Sequence, residues 1–501
     1  MIFTKIFQRK YFFSIILILF LCNFFQGLSY NFDKIYPSPF GRTLYGINIA
    51  ISKLKFDFKK YNFSAVLNQI LERDGFSNEY FDKDRKLIIK SDITPLDNAI
   101  KSAINTPYEV VKNSTKLKGM PSEDHGYNDF IILAFKIFGY EYSSIYFCYY
   151  LILFLGIVPF LLKPVISNKN SFIIIYIFLT SHLLFQNLVF KGTIESGTII
   201  NSRFFNILGI LPLIYVSNYI LNNHKKFKIN FVFLSQLTIL IFTIFGRSSG
   251  NWMILSIIFL SLYFFLIKLK NLKKNYFNNF LDYNVFIIIF FISFKLLISA
   301  YINTGIPSLK SSKHMFWHNL YSGLNSHPNW RNKLDPIYVK NNGGDVGLYK
   351  SFENYYSTKP SNQWREGNSV FGYKIEVYEN YVKDKYLKFF KENKYFILET
   401  YFFYKPKKYF LFLYDFFSKN FNYFFLLNLL FIFGLFLILT NFHIGRNIII
   451  LFFLIFSSIP SYLTGFSLWI MGDHIILFVM SLNFVFLKLL FYLRAKIKFY
   501  A

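Results

Sequence analysis

The chain has 501 residues, is 54% hydrophobic and 22% aromatic, and carries a formal net charge of +28. Its mean hydropathy of +0.34 excludes an ordinary soluble domain. The apolar residues come as discrete runs near the roughly 20 residues that a bilayer core of about 30 Å requires. The charge does not indicate nucleic acid, because the basic residues sit in short clusters between apolar runs, where membrane topology places them. Cys22 and Cys148 both lie inside apolar runs, so neither a disulfide framework nor zinc-ligand spacing is present.

In chain order, residues 1–30 form the first transmembrane helix, with an apolar run over 11–28 preceded by Lys5, Arg9 and Lys10. No small-x-small cleavage site follows it, which predicts an uncleaved helix with a cytoplasmic N-terminus. Residues 31–142 form a first large polar loop. Near its end Phe130, Leu133, Ala134, Ile137 and Phe138 recur at helical spacing over a stretch too short and one-sided to span, the pattern of an interfacial amphipathic helix.

A bundle over 143–301 follows, with spans near 143–162, 171–190, 204–221, 230–245, 252–267 and 284–301. Residues 302–420 form a second large loop, in which Phe371, Ile375, Tyr378 and Val382 mark a helix. Residues 421–501 hold spans near 421–440, 447–464 and 472–493 and a basic tail. The expected fold class is therefore an all-α membrane protein of about ten transmembrane helices with two large extracytoplasmic loops.

One register of spans gathers the basic connectors on one side. They are Lys163 and Lys169; Lys225, Lys226 and Lys228; Lys268, Lys270, Lys273 and Lys274; Arg446; and the tail with Arg494, Lys496 and Lys498. By the positive-inside rule that side is the cytoplasm, and both large loops lie across the membrane from it. The heavy use of Phe, Ile, Lys, Asn and Tyr with little Arg suggests a low-GC bacterium and hence a multi-pass bacterial inner (plasma) membrane protein with both termini cytoplasmic.

The stretch richest in chemistry runs Pro121-Ser122-Glu123-Asp124-His125-Gly126-Tyr127-Asn128-Asp129-Phe130. Three carboxylates and a histidine stand there at the outer membrane face. A partly desolvated carboxylate suits proton abstraction, because burial raises its pKa toward neutrality. The simpler reading is a helix cap supplied by Ser122 or Asp124, and a capping carboxylate can also be catalytic.

A first span, a large outer loop with an acidic motif, and an apolar helix from Phe130 ending in Phe138-Gly139 resemble the layout of the GT-C class of membrane glycosyltransferases. The likeness covers roughly residues 1–300. It implies a sugar taken from a polyprenyl-phosphate carrier on the outer face, with Asp124 or Glu123 as general base. Many members place the acidic residue soon after the first span, which makes Asp33 a rival base.

The layout also needs a cation for the donor phosphate. Arg247, in Phe245-Gly-Arg-Ser-Ser-Gly-Asn-Trp252, and Arg203 are the candidates, since a guanidinium binds phosphate oxygens in a bidentate way. Snorkelling toward headgroups is the bland alternative for each. Lys295 is a charge inside an apolar run, a position that marks either a pathway or a lysine reaching the interface. His125, His318, Trp317, Tyr321 and Trp330 are further candidate substrate contacts, the aromatic ones because sugars stack on flat apolar faces. Asp473 and His474 stand at the outer mouth of the last span and either line the same cavity or cap the helix.

No metal site and no cofactor beyond the lipid-linked sugar donor are expected. The expected partners are membrane lipid, a polyprenyl-phosphate sugar and a glycan, lipid or protein acceptor. A polymerase-like envelope protein is the alternative. A transporter would call for inverted repeats and compact loops, neither of which is evident. A non-catalytic membrane scaffold would leave Asp124 and Arg247 in unrelated places.

Overall fold

The computed structural model describes residues 2–33, 46–47, 50–51, 54, 94–105, 125–190, 199–223, 225–268, 274–302, 316–365, 373–411, 414–415, 418, 448–463 and 472–500. Among them there is no β-strand. Five helical segments are long and apolar enough to cross a membrane: Tyr142–Leu162, Asn170–Val189, Ser202–Asn222, Ser248–Leu266 and Asn278–Leu297. Shorter apolar helices are Phe12–Leu28, Phe231–Gly246 and Gly472–Val485. The chain is a mostly helical, membrane-embedded protein. The expected span at 421–440 lies outside the described residues. The one expected at 447–464 is divided into Ile448–Ser457 and Ile459–Leu463. Pro460 explains the division, because it lacks an N–H and its ring crowds the carbonyl four residues back.

The helices that frame the bundle are α1 (Ile2–Asp33), α2 (His125–Phe138), α3 (Tyr142–Leu162), α4 (Asn168–Phe190), α5 (Ile210–Asn222), α6 (Phe231–Gly246), α7 (Trp252–Lys268), α8 (Lys274–Ile302) and, later in the chain, the helix Gly472–Tyr500. A 3₁₀ segment, Ser202–Gly209, leads into α5. Pro212 stands in the first turn of α5 and disfavours regular α geometry just before it, which is where the helix type changes.

The short connectors sort by end. Tyr215 Oη donates to the Lys163 carbonyl (3.0 Å), Asn222 Nδ2 to the Val165 carbonyl (2.5 Å) and Tyr283 Oη to the Lys228 carbonyl (2.9 Å). The lysine connectors after α3 and α5 therefore meet at one end of the bundle. The turns Ile199–Asn201 and Arg247–Asn251 and the start of Gly472–Tyr500 meet at the other, here called the arginine end.

α1 runs alongside α4 and is held by a polar network in the apolar interior. Asn23 Nδ2 donates to the Leu19 and Leu179 carbonyls (2.8 and 3.1 Å). Tyr149 Oη lies 3.0 Å from His182 Nε2, and His182 Nδ1 lies 2.8 Å from Asn23 Oδ1. Gln186 Nε2 also lies 2.9 Å from His182 Nδ1. Tyr150 Oη donates to the Asn23 carbonyl (2.7 Å), and Gln186 Nε2 donates to Tyr150 Oη (2.8 Å). Gly27 admits the tyrosine: a Cβ there would lie 2.3 Å from Tyr150 Oη. Interhelical hydrogen bonds of this kind are worth about 0.6 kcal/mol each, and up to about 2.

The second large loop builds its own aromatic core from α9 (Phe316–Gly323), α10 (Gly344–Tyr356) and α11 (Ile375–Glu392). Tyr338, Leu348, Phe352, Tyr378 and Val382 are fully buried in it. The chain enters α10 through Asn342, Gly343 and Gly344, all at positive φ (57°, 69° and 62°). Glycine is favoured at such angles, and at Gly343 a Cβ would also meet Asn325 at 2.6 Å.

A polar knot ties these helices together. Asp335 caps the helix Pro336–Lys340 by accepting from the Ile337 N–H (2.8 Å) and pairs with Lys385, while Ser351 Oγ lies between Asp335, Lys385 (2.5 Å) and Tyr381 Oη (2.7 Å). Burial alone would raise the Asp335 pKa, but the hydrogen bonds from Lys385 and Ser351 and the lysine charge carry it below the ordinary value. A depressed folded pKa means stability that is present above the unfolded pKa and is lost as pH falls through the folded one. Asp335→Asn should therefore destabilise the loop domain by about 2 kcal/mol near neutral pH, and the deficit should shrink below about pH 4. Hydrogen exchange of segment 335–390 in the full-length protein measures it.

Candidate functional site

The arginine end collects polar side chains that an apolar bundle would otherwise exclude. Asn201 opens the 3₁₀ segment by accepting the Arg203 N–H (3.0 Å). That turn sets Arg203 into the bundle, where it is only 8% exposed. α6 ends at Arg247, 9% exposed, whose N–H reaches the Thr243 carbonyl (3.0 Å). Asn206 joins the two segments: in the amide orientation that satisfies both ends, it donates to the Arg247 carbonyl (3.1 Å) and accepts from Ser249 Oγ (3.0 Å) and the Gly250 N–H (3.2 Å).

Opposite them stands Asp473, in the first turn of the last helix. Trp252 Nε1 donates to its Oδ2 (2.8 Å) and the His474 N–H to its Oδ1 (3.0 Å). Arg247 lies within electrostatic reach of this carboxylate. His474 is buried, with Nδ1 2.7 Å from Ser457 Oγ and Nε2 hydrogen-bonded to Tyr409 Oη. Among the described residues, Asp473 is the buried carboxylate, whereas Arg203, Arg247 and Lys405 are buried cations. Lys405 donates to the Tyr462 carbonyl (2.7 Å) and lies over the Tyr401 ring (4.3 Å).

The amphipathic helix α2 begins at the same end. Its buried face is Phe130, Ile131, Ala134 and Phe135, while Leu133, Ile137 and Phe138 are exposed. Tyr127 Oη donates to the Ile200 carbonyl (2.5 Å). Gly126 is so close to α6 that a Cβ would lie 2.1 Å from Phe245 Cδ1 and 2.6 Å from the Gly246 N. The first turn of α2 is thereby pressed against the residues just before Arg247.

Glu123 and Asp124, the expected bases, lie outside the described residues. They directly precede α2 in sequence, whose first residue is His125. Asp33 is the last residue of α1. The structure brings Arg203, Arg247, Asp473 and the start of α2 to one end. Lys295 is exposed on α8 beside the Phe291 ring at 4.8 Å, next to Phe294, whose ring meets that of Phe245 at 6.0 Å, so it stands near this end but outside the buried cluster.

The aromatic and histidine candidates of the second loop belong to that loop's own core. His318 is buried between Tyr378 Oη (2.5 Å) and Asp345 Oδ1 (2.8 Å), and Tyr321 is buried against Tyr338. Trp317 and Trp330 are partly exposed at the edges. Among the described residues, no group of three or more His, Cys, Asp or Glu is placed to hold a metal ion.

Sequence reasoning did not single out Asn206, Lys405 or Tyr409. Polar residues punctuating aromatic runs were the available signal, and such residues are common at membrane interfaces. No protein-family model matches the chain, and no characterised protein and no solved structure is significantly similar to it.

Burial, reinforced by the nearby Lys408, pushes the Lys405 pKa down to about 7. A lysine with a lowered folded pKa binds fewer protons folded than unfolded, so stability rises with pH from about 7 towards the ordinary value of 10.5. Lys405→Met should flatten that rise and increase the thermal midpoint at pH 7, because an apolar side chain of similar length avoids the desolvation of the ammonium. Thermal unfolding of the detergent-solubilised protein across this pH range checks both.

Proposed function

We propose that the chain is an integral membrane glycosyltransferase of GT-C-like layout. It moves a sugar from a polyprenyl-phosphate carrier to a glycan, lipid or protein acceptor of the cell envelope on the non-cytoplasmic face. The observation that carries the reading is the packing of Gly126 on Phe245 and Gly246. It sets the helix that follows the acidic motif beside the turn carrying Arg247, at the end where Arg203 is also buried. A base and a phosphate-binding cation are the two groups this chemistry needs together.

In the proposed step the acceptor hydroxyl attacks the anomeric carbon and its proton passes to Asp124, with Glu123 beside it and Asp33 as the rival base. The bond between that carbon and the phosphate oxygen breaks, and the polyprenyl phosphate leaves with its new charge held by Arg247 and Arg203. A guanidinium suits this task because it offers paired donors to two phosphate oxygens and stays charged when partly desolvated. The lysine-rich connectors would face the cytoplasm of a bacterial inner membrane, which puts the arginine end at the outer headgroups, where the carrier phosphate resides.

The test is transfer from defined polyprenyl-phosphate sugars by the purified protein in proteoliposomes. Asp124→Asn should lower the turnover rate by about 100-fold or more, the size of a general-base contribution. Arg247→Lys, which keeps the charge and loses the fork, should weaken donor binding and leave the fold intact. Transfer undiminished in both Asp124→Asn and Asp33→Asn would remove the proposed base.

A further inference from the structure

The segment that returns from the second loop to the bundle carries a run of large, exposed aromatic side chains. It is helical from Lys394 to Glu399, widens into a π turn over Thr400–Tyr404, and continues as α-helix through residue 411. Tyr395 (84%), Leu398 (49%), Phe402 (77%), Phe403 (60%), Phe410 (68%) and Tyr414 (70%) are exposed along it. Lys394, Lys407 and Lys408 are exposed on the same segment. Of its two exposed acids, Glu399 is engaged by His327 (3.2 Å) and Asp415 stands at the far end.

The opposite side of the helix is occupied. Phe396 and Ile397 enter the loop-domain core, and Lys405 and Tyr409 are bonded to Tyr462 and His474 at the arginine end. These bonds fix the segment at the arginine end, where the apolar helices of the bundle stop. Immediately after it the sequence enters the apolar run near 421–440.

We propose that residues 394–411 form an interfacial membrane-binding helix, whose exposed aromatic face is inserted among lipid headgroups and upper acyl chains with its lysines against anionic phosphates. Three observations favour lipid over a protein partner. The segment is held at the level where the spans end, it runs on into an apolar sequence, and its mixture of aromatics and lysines suits the headgroup layer. A soluble surface rarely keeps so many large apolar side chains contiguous. Lipid contact would also fix the second loop over the arginine end instead of leaving it to swing.

Site-directed spin labelling in proteoliposomes containing anionic lipid tests this. In a Cys22→Ser, Cys148→Ser background, single labels replace Tyr395, Phe402 or Phe410, with Val346 on α10 as the water-exposed control (61% exposed). The control and the highly exposed Tyr395 position can change without disturbing a core, so they report even if Phe402→Cys fails to fold. The expected result is several-fold stronger relaxation by dissolved oxygen than by a water-soluble nickel chelate at 395, 402 and 410, and the reverse at 346. Strong relaxation by nickel at the aromatic positions would overturn the proposal and leave a solvent-facing surface for a soluble partner. Shielding from both reagents would also overturn it, by indicating contact with a second copy of the chain.

Discussion

Phe205 lies over the Cα of Gly246, where a Cβ would approach its ring to 2.1 Å, and its ring centroid is 4.8 Å from Phe130 and 5.9 Å from Tyr127. Gly126 makes a similarly close approach to Phe245 and Gly246 from the other side. Two glycines without side chains thus let α2, α6 and the 3₁₀ segment meet almost backbone to backbone. Small residues at helix contacts serve this purpose in membranes, where packing rather than expulsion from water holds helices together. The chain leaves this junction with Arg203 on one strand of the turn system and Arg247 on another, and with the acidic motif directly preceding the third.

Charge gives that junction its character. A guanidinium inside a low-dielectric bundle is costly unless hydrogen bonds or a counter-charge offset the loss of water. Asp473 is held in place to act on Arg247 by Trp252 and by the backbone of its own helix. The remaining buried cations stand at the same end. The polar network of Asn23, Tyr149, Tyr150, His182 and Gln186 is different in kind: its groups are neutral partners bonded to one another deep in the bundle. It joins α1 to α3 and α4. One cluster fixes the architecture and the other is suited to meet an anion.

Hydropathy made most of the bundle legible, because an apolar run of spanning length has few alternatives in lipid. The amphipathic segment was equally readable from Phe130 to Phe138. Its start at His125 directly follows Asp124, one of the two residues read as a cap, whereas the places of Gly126 and Tyr127 were hidden, since they depend on contacts with residues far away in sequence. Of the face read from Phe371, Ile375, Tyr378 and Val382, the last three are buried in α11, and Phe371 lies outside the described residues. His318, Tyr321 and their neighbours illustrate the limit. A tyrosine or tryptophan is equally suited to stack on a sugar or to fill a small aromatic core, and its spacing does not distinguish the two. The placement of Lys405 was hidden for a related reason: lysines flank nearly every apolar run of this chain, so one buried lysine carries no mark in the sequence.

An outward-facing site requires a fixed sidedness of the bundle, and impermeant thiol labelling of intact cells tests that most directly. Single cysteines at Val346, exposed in the second loop, and at Lys226, exposed in a lysine-rich connector, report the two ends. Reaction at 346 from outside, with 226 reacting only after the membrane is opened, is the predicted result. Labelling of 226 in intact cells with 346 protected would place the arginine end in the cytoplasm and contradict an outward-facing transferase.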